Sequence, residues 1–292
     1  MTATRADTGQ AGIAQRLQGR VALITGATGG IGAATARRFV AEGAWVVASG
    51  RSQERGAELA RELGERVRFI AADVTDEGQL SALVDQAAAW QGRLDVLFNN
   101  AGETQVPRSL LALEPAALRG EIDTLFGSVV LATRKAALVM REHGGVILNC
   151  GSTAAHRAGS QSAMYSSLKA AVCHFTRCAA LELAASRIRV NTISPGAIVT
   201  PIFLKAAPVP PGRESDALDA LREVFGSALP AGRAGDPADI AAVAAFLASD
   251  DGSFVTGQDW IVDGGLTAGL SEMQWRQQES MIVAHLTSRL SA

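Results

Sequence analysis

From Gly19 onward the chain alternates between short β-branched runs and longer amphipathic segments, and this alternation narrows its possible folds more than any other feature. A strand that leads through a helix back to a parallel strand must lay that helix across the sheet. Repeated units therefore build a parallel sheet covered by helices. The apolar runs predict strands at 21–25, 46–49, 67–71, 94–98, 146–150 and 188–193, with an edge strand at 260–262. Helices are predicted between them at 31–42, 54–63, 77–90, 115–141, 163–185 and 237–248.

These elements imply a single α/β domain over residues 19–267, a Rossmann-like doubly wound parallel sheet. Three stretches depart from the alternation. Residues 1–18 carry little apolar pattern and read as a flexible N-terminal segment. Residues 201–235, punctuated by Pro201, Pro208, Pro210, Pro211 and Pro230, exceed most connections and read as a substrate lid with a helical piece at 217–225. Residues 268–292 read as a C-terminal helical extension, with Met273, Met281, Ile282, Leu286 and Leu290 near helical spacing.

Of 292 residues, 48% are hydrophobic and 19% charged, a balance that supports a large core. The formal net charge is -2 and the basic residues are scattered, which argues against a nucleic-acid partner. The opening residues hold no apolar signal segment, and no run of about 18 apolar residues follows, so the expectation is a cytoplasmic chain that does not enter a membrane. Cys150, Cys173 and Cys178 show neither a CxxC pair nor metal-ligand spacing and read as reduced, buried thiols, with no metal expected.

The first predicted strand runs into Thr25-Gly26-Ala27-Thr28-Gly29-Gly30-Ile31-Gly32 and then an Ala-rich helix. Glycines at such a turn permit positive φ and let a pyrophosphate approach the backbone, where N–H groups and the helix dipole favour negative charge. After the first strand of a βαβ unit, the turn reads as a dinucleotide cradle. Further motifs follow in order: Asp73-Val74, Asn99-Asn100-Ala101-Gly102, Ser152, Tyr165-Ser166-Ser167-Leu168-Lys169, Pro195-Gly196 and Val262-Asp263-Gly264-Gly265.

This ordered set resembles the short-chain dehydrogenase/reductase family over roughly residues 19–267, with Thr25, Gly26, Gly30 and Gly32 matching the pattern TGxxxGxG. The resemblance implies a nicotinamide cofactor seated on Gly26, Thr28, Gly30, Ile31 and Gly32. Asp73 would accept a hydrogen bond from the adenine amino group, with the Val74 backbone beside it. Asn100, Ala101 and Gly102 would line the adenosine ribose and support the central strand. Beyond Pro195 and Gly196, the Ile198 backbone would meet the nicotinamide amide and Thr200 would reach a phosphate.

A doubly wound fold selects its cofactor at the end of the second strand, where a carboxylate accepts from ribose hydroxyls or a basic group pairs with a 2′-phosphate. Here Gly50 stands at the acidic position and Arg51 follows. A guanidinium fork suits phosphate, so the expectation is NADP(H), with Ser52 as a second donor. Thr28 and Gly29 stand where many NADP-dependent relatives carry a further basic residue.

Tyr165, the only tyrosine, and Lys169 lie four positions apart in a helical segment and so share a face. A phenol is a poor proton donor or acceptor at neutral pH until a neighbouring ammonium favours its phenolate. The pair therefore reads as a general acid/base. The resemblance makes Ser152 the hydroxyl that orients a substrate carbonyl and has Lys169 also hold the nicotinamide ribose. It implies an Asn where Thr124 stands, in a water-mediated proton relay behind Lys169, so the relay is expected to be altered.

His156 and Arg157 read as ordinary loop residues. The expected substrate is a small carbonyl or alcohol compound, walled by residues 103–110, 154–164 and the lid residues Phe203, Leu204, Val209, Leu218 and Phe225. A redox-neutral lyase or isomerase and a non-catalytic nucleotide sensor remain rival readings. The resemblance implies a homodimer or homotetramer.

Overall fold

The computed structural model describes residues 15–103, 106–206, 209–270 and 272–290. The readings made for residues 1–14, for 104–105 and 207–208 and for the Met273 side chain lie outside what it describes. Strands β1 (Val21–Ile24), β2 (Trp45–Gly50), β3 (Val67–Ala71), β4 (Val96–Asn99), β5 (Gly145–Cys150), β6 (Ile188–Pro195) and β7 (Asp259–Val262) form one parallel sheet. Their order is β3-β2-β1-β4-β5-β6-β7, so the winding reverses between β1 and β4 and opens a crevice there.

Around the sheet lie α1 (Gly30–Ala41), α2 (Gln53–Leu63), α3 (Glu77–Trp90), α4 (Pro115–Ile122), α5 (Ser128–Met140), α6 (Ala163–Glu182), α7 (Glu214–Ala228), α8 (Pro237–Ala248) and α9 (Glu272–Leu290). Successive strand side chains point to opposite faces and divide the core in two. Ala22, Ile24, Val46 and Ala48 pack with Phe39 of α1 and with Ile240 and Ala244 of α8. Leu23, Val47 and Leu97 pack with Leu83 of α3, Ala136 of α5 and Ala179 of α6. Small side chains on α1 and α8 let the two helices approach closely.

Three parallel strands are also tied by buried polar side chains. Asn99 Nδ2 donates to Asn149 Oδ1 at 2.9 Å, Asn149 Nδ2 to Thr176 Oγ1 at 2.9 Å, and Thr192 Oγ1 lies 2.8 Å from Thr176 Oγ1. Each group thereby finds a partner that burial would otherwise deny it.

The predicted helix at 115–141 is interrupted. A π turn, Asp123–Gly127, separates α4 from α5, with the Ser128 N–H donating to the Asp123 carbonyl. A one-residue widening of this kind leaves apolar periodicity nearly unchanged, which is why the sequence reads as one helix. The fold also begins before Gly19: Leu17 is fully buried and its N–H donates to Glu42 O at 3.0 Å. Among the described residues no helix is long and apolar enough to cross a membrane. On α9, Trp275, Ile282 and Leu286 share one face and are exposed.

Glu42, at the carboxyl end of α1, has a fully buried side chain that receives Arg16 Nε at 2.7 Å and Arg16 Nη2 at 2.6 Å, with Arg38 on the same carboxylate. Burial alone would raise its pKa; the bonds from Arg16 and Arg38 outweigh that and hold it below the usual range. A depressed folded-state pKa gives stability that is present above the unfolded carboxylate range and lost as pH falls through the folded value. Glu42→Gln is expected to reduce stability at neutral pH by about 3 kcal/mol, since it strands two guanidinium groups. Urea unfolding should also show a smaller acid-induced loss for the variant, and an identical loss in both proteins would refute this account.

Candidate active site

A cavity of about 950 Å³ lies at the carboxyl ends of the strands. Its wall includes Gly26, Thr28, Gly30, Ile31, Arg51, Ser52, Asp73, Val74, Asn100, Ala101, Gly102, Thr124, Ser152, Tyr165, Lys169, Pro195, Gly196, Ile198 and Thr200. Of the catalytic and cofactor-binding residues expected from sequence, Gly32 alone does not line it; it is buried behind the turn.

The glycine turn is held by close backbone approaches. Gly26 has φ +65°, and a Cβ there would stand 2.8 Å from Ala101 Cα. A Cβ on Gly32 would stand 2.3 Å from Gly26 O and 2.6 Å from Asn100 Nδ2. Asn100 Nδ2 donates to Thr25 O at 3.0 Å and Gly26 O at 3.1 Å, pinning the end of β4 to the turn. The first N–H groups of α1 follow at once. A phosphate-bearing group fits this arrangement: bare backbone, a helix N-terminus and room beside Gly30, whose Cβ would meet Thr200 Cγ2 at 3.2 Å.

At the end of β2, a Cβ on Gly50 would stand 2.8 Å from Thr28 Cγ2, so a side chain here would have to displace Thr28. Arg51 Nη2 lies 3.5 Å from the Glu103 carboxylate and is largely exposed. Ser52 caps α2, its Oγ accepting from Arg55 N–H at 3.3 Å, which leaves its own proton available for donation. Arg55, in the first turn of α2, also lines the cavity; the sequence reading missed it, although a second basic residue shortly after Arg51 was an available signal. Glu121 and Asp123 line it as well. No local pattern marked them, because only the fold of α4 and the π turn over the site brings them there. Asp73 Oδ1 accepts from Thr75 N–H at 2.9 Å and Thr75 Oγ1 at 2.7 Å, and these bonds hold its carboxyl below the usual range.

Tyr165 lies in the first turn of α6, where Ser162 Oγ caps its N–H at 3.1 Å. Lys169, one turn on, is buried; its Nζ donates to Cys150 O at 2.7 Å and lies 5.8 Å from the centre of the Tyr165 ring. Ser152 Oγ accepts from Ala154 N–H at 3.1 Å. Thr124 sits in the π turn, with Oγ1 donating to Gly120 O at 2.8 Å and its carbonyl accepting from Ser128 Oγ at 2.7 Å. The Ile198 N–H turns back to Gly196 O at 3.0 Å.

Of the expected lid side chains, Phe203 and Phe225 line the cavity, their ring centres 5.2 Å apart, while Leu204, Val209 and Leu218 do not. His156 and Arg157 also stand outside it. His156 Nε2 lies 2.7 Å from Asp259 Oδ2, which ties the loop to the sheet edge. Arg157 Nη1 donates to Leu266 O at 3.2 Å. Burial pushes the Cys173 thiol up to about 12, and Asp259 adds to the shift; burial also raises the Cys150 thiol. Cys178 is exposed, contrary to the sequence reading, because it lies about half a turn from the inward Thr176.

Comparison with known proteins agrees with this architecture. The family model described as enoyl-(acyl carrier protein) reductase matches residues 26–267. The chain is 42% identical over 258 residues to momilactone A synthase of Oryza sativa subsp. japonica, covering 87% of this chain and 92% of that protein. It is 41% identical over 253 residues to cis-4-hydroxycyclohexanecarboxylate dehydrogenase of Sinomonas cyclohexanicum, covering 85% and 97%. It is 37% identical over 260 residues to 3-alpha-(or 20-beta)-hydroxysteroid dehydrogenase of Mycobacterium tuberculosis, covering 88% and 92%. With this sheet, this glycine turn and a match that spans most of its length, the chain belongs to the short-chain dehydrogenase/reductase family.

Proposed function

We propose that this protein is an NADP(H)-dependent oxidoreductase that reduces a small carbonyl compound or oxidises the corresponding alcohol. The observation that carries the reading is that Ser152, Tyr165 and Lys169 line the same cavity as the glycine turn. When bound, the nicotinamide supplies or accepts the hydride. Tyr165 gives its phenolic proton to the substrate oxygen in reduction and takes one in oxidation. Ser152 accepts from Ala154 N–H and so keeps its hydroxyl proton for that same oxygen. Lys169 uses one N–H on Cys150 O, leaving two for the ribose hydroxyls and the phenolate. The Thr124 hydroxyl is engaged by Gly120 O and its carbonyl by Ser128 Oγ, and the relay behind Lys169 would run without a side-chain amide at this position.

Asp73 would receive the adenine amino group, and Asn100 to Gly102 would border its ribose. The choice of NADP(H) rests on Arg51, with Ser52 and Arg55 as further donors around a 2′-phosphate. Arg51→Ala is expected to weaken NADPH binding by about tenfold to a hundredfold, the weight of a charge-assisted hydrogen bond, and to leave NADH binding unchanged. Fluorescence titration measures both, and equal affinities untouched by the substitution would sink the assignment.

Residues 201–235 would act as the lid, with Phe203 and Phe225 presenting an apolar wall together with Ile202 and Leu266. Two of the relatives are named for hydroxylated ring compounds, which suits a substrate with an apolar ring. A screen of cyclic and open-chain ketones, aldehydes, quinones and imines for NADPH oxidation tests the reading. Product formed without net change in cofactor absorbance would instead indicate a lyase or isomerase. We also propose a homodimer or homotetramer, for which the exposed Leu131 and Leu138 of α5 and Leu181 of α6 offer apolar surface.

A further inference from the structure

Outside the cavity, behind the loop that carries Ser152, side chains from four parts of the chain meet. His156 follows the turn after β5, Cys173 stands one helical turn beyond Lys169 on α6, Ser194 lies near the end of β6, and Asp259 opens β7. His156 Nε2 lies 2.7 Å from Asp259 Oδ2, Ser194 Oγ donates to Asp259 Oδ1 at 2.7 Å, and Cys173 Sγ is 3.9 Å from Ser194 Oγ. The imidazole nitrogen, the thiol sulfur and a carboxylate oxygen all fall within 4.8 Å of one another.

We propose that His156, Cys173 and Asp259 form a site for a divalent cation of the zinc class, with a fourth coordination position left to water. The donor set selects the metal. Magnesium and calcium take oxygen ligands, whereas a thiolate and an imidazole together favour zinc or cobalt. Tetrahedral zinc with bonds of about 2.0 to 2.3 Å holds its ligand atoms roughly 3.3 to 3.8 Å apart. The observed atoms therefore need only the imidazole and carboxylate to part by about half an ångström and the sulfur to close by about one.

The surroundings match a ligand set as well. Ser194 engages one oxygen of Asp259 and orients the other toward His156, the kind of hydrogen bond that fixes a metal-bound carboxylate. The His156 side chain is 29% exposed and that of Asp259 9%, while Cys173 is buried, so a cation enters from the His156 side. On binding, the Cys173 proton leaves to solvent, and the thiolate and carboxylate neutralise the dication. The bound cation would clamp the end of the Ser152 turn to α6 and β7 and steady the hydroxyl in front of it.

The test uses the full chain, stripped with a chelator and titrated with Co²⁺ and then Zn²⁺. The expected result is one Co²⁺ per chain with a thiolate-to-cobalt charge-transfer band, displaced by Zn²⁺. Cys173→Ser should abolish the band, and His156→Gln and Asp259→Asn should each weaken Zn²⁺ binding by about tenfold or more. Cofactor titration and melting temperature of the metal-free variants establish that they are folded. If Asp259→Asn does not fold, His156→Gln carries the comparison, since its side chain is partly in solvent. Absence of saturable Co²⁺ uptake, or a band that survives Cys173→Ser, would overturn the proposal and leave a hydrogen-bonded clasp only. Because the readout is metal binding, it stands or falls separately from the proposed redox reaction.

Discussion

Tyr165→Phe is expected to bind NADPH with nearly the parent affinity and to turn over about a hundredfold to ten-thousandfold more slowly, the range removed with a general acid/base. The substitution deletes one oxygen and keeps the ring. The Ser162 cap on the residue 165 N–H, the Lys169 bond to Cys150 O and the packing of α6 on the sheet all survive it. Folding and cofactor binding therefore stay nearly constant while the proton donor disappears. Single-turnover kinetics with an active carbonyl substrate measure the chemical step directly. A near-parent rate would remove Tyr165 as the proton donor and require another group to supply that proton.

Gly32→Ala is expected to weaken dinucleotide binding by about tenfold to a hundredfold and to destabilise the fold by about 1 to 3 kcal/mol, the usual range for overpacking. The added methyl would meet Gly26 O at 2.3 Å and Ala27 Cα at 2.9 Å, both backbone atoms, and Asn100 Nδ2 at 2.6 Å. No rotamer change relieves the two backbone contacts. The Gly26 carbonyl must move away from Asn100, and the turn loses the bond that pins it to β4. Gly29→Ala is the internal control for stability, since a Cβ there meets nothing within 4 Å and the residue is in extended backbone at φ 174°. Melting temperatures of the two variants should separate clearly; equal values would mean that the turn tolerates crowding and that its glycines serve another purpose.

Several parts of the fold were legible because the information is local. Strand and helix positions follow from side-chain periodicity, and β3, α3 and α8 run where the apolar pattern places them. The proximity of Tyr165 and Lys169 follows from one helical turn. Other features were not local. The π turn around Thr124 depends on a single shifted hydrogen bond that leaves composition unchanged. The buried Glu42 looks like any helix-terminal acid until Arg16 and Arg38 are folded onto it. Cys178 sits in an apolar stretch of sequence yet faces outward, because helical rotation sets its direction.

Sequence by itself determined the class of sheet, the cradle after β1 and the order of the motifs, since each is written in neighbouring residues. Tertiary structure alone decided which strand ends share one crevice, because the reversal between β1 and β4 is a property of strand order. It alone brought His156 to Asp259 across 103 residues and Ser194 to Asp259 across 65. No spacing rule anticipates such a meeting: contacts between distant segments are set by which strands pair, and that is decided by the packing of the whole core.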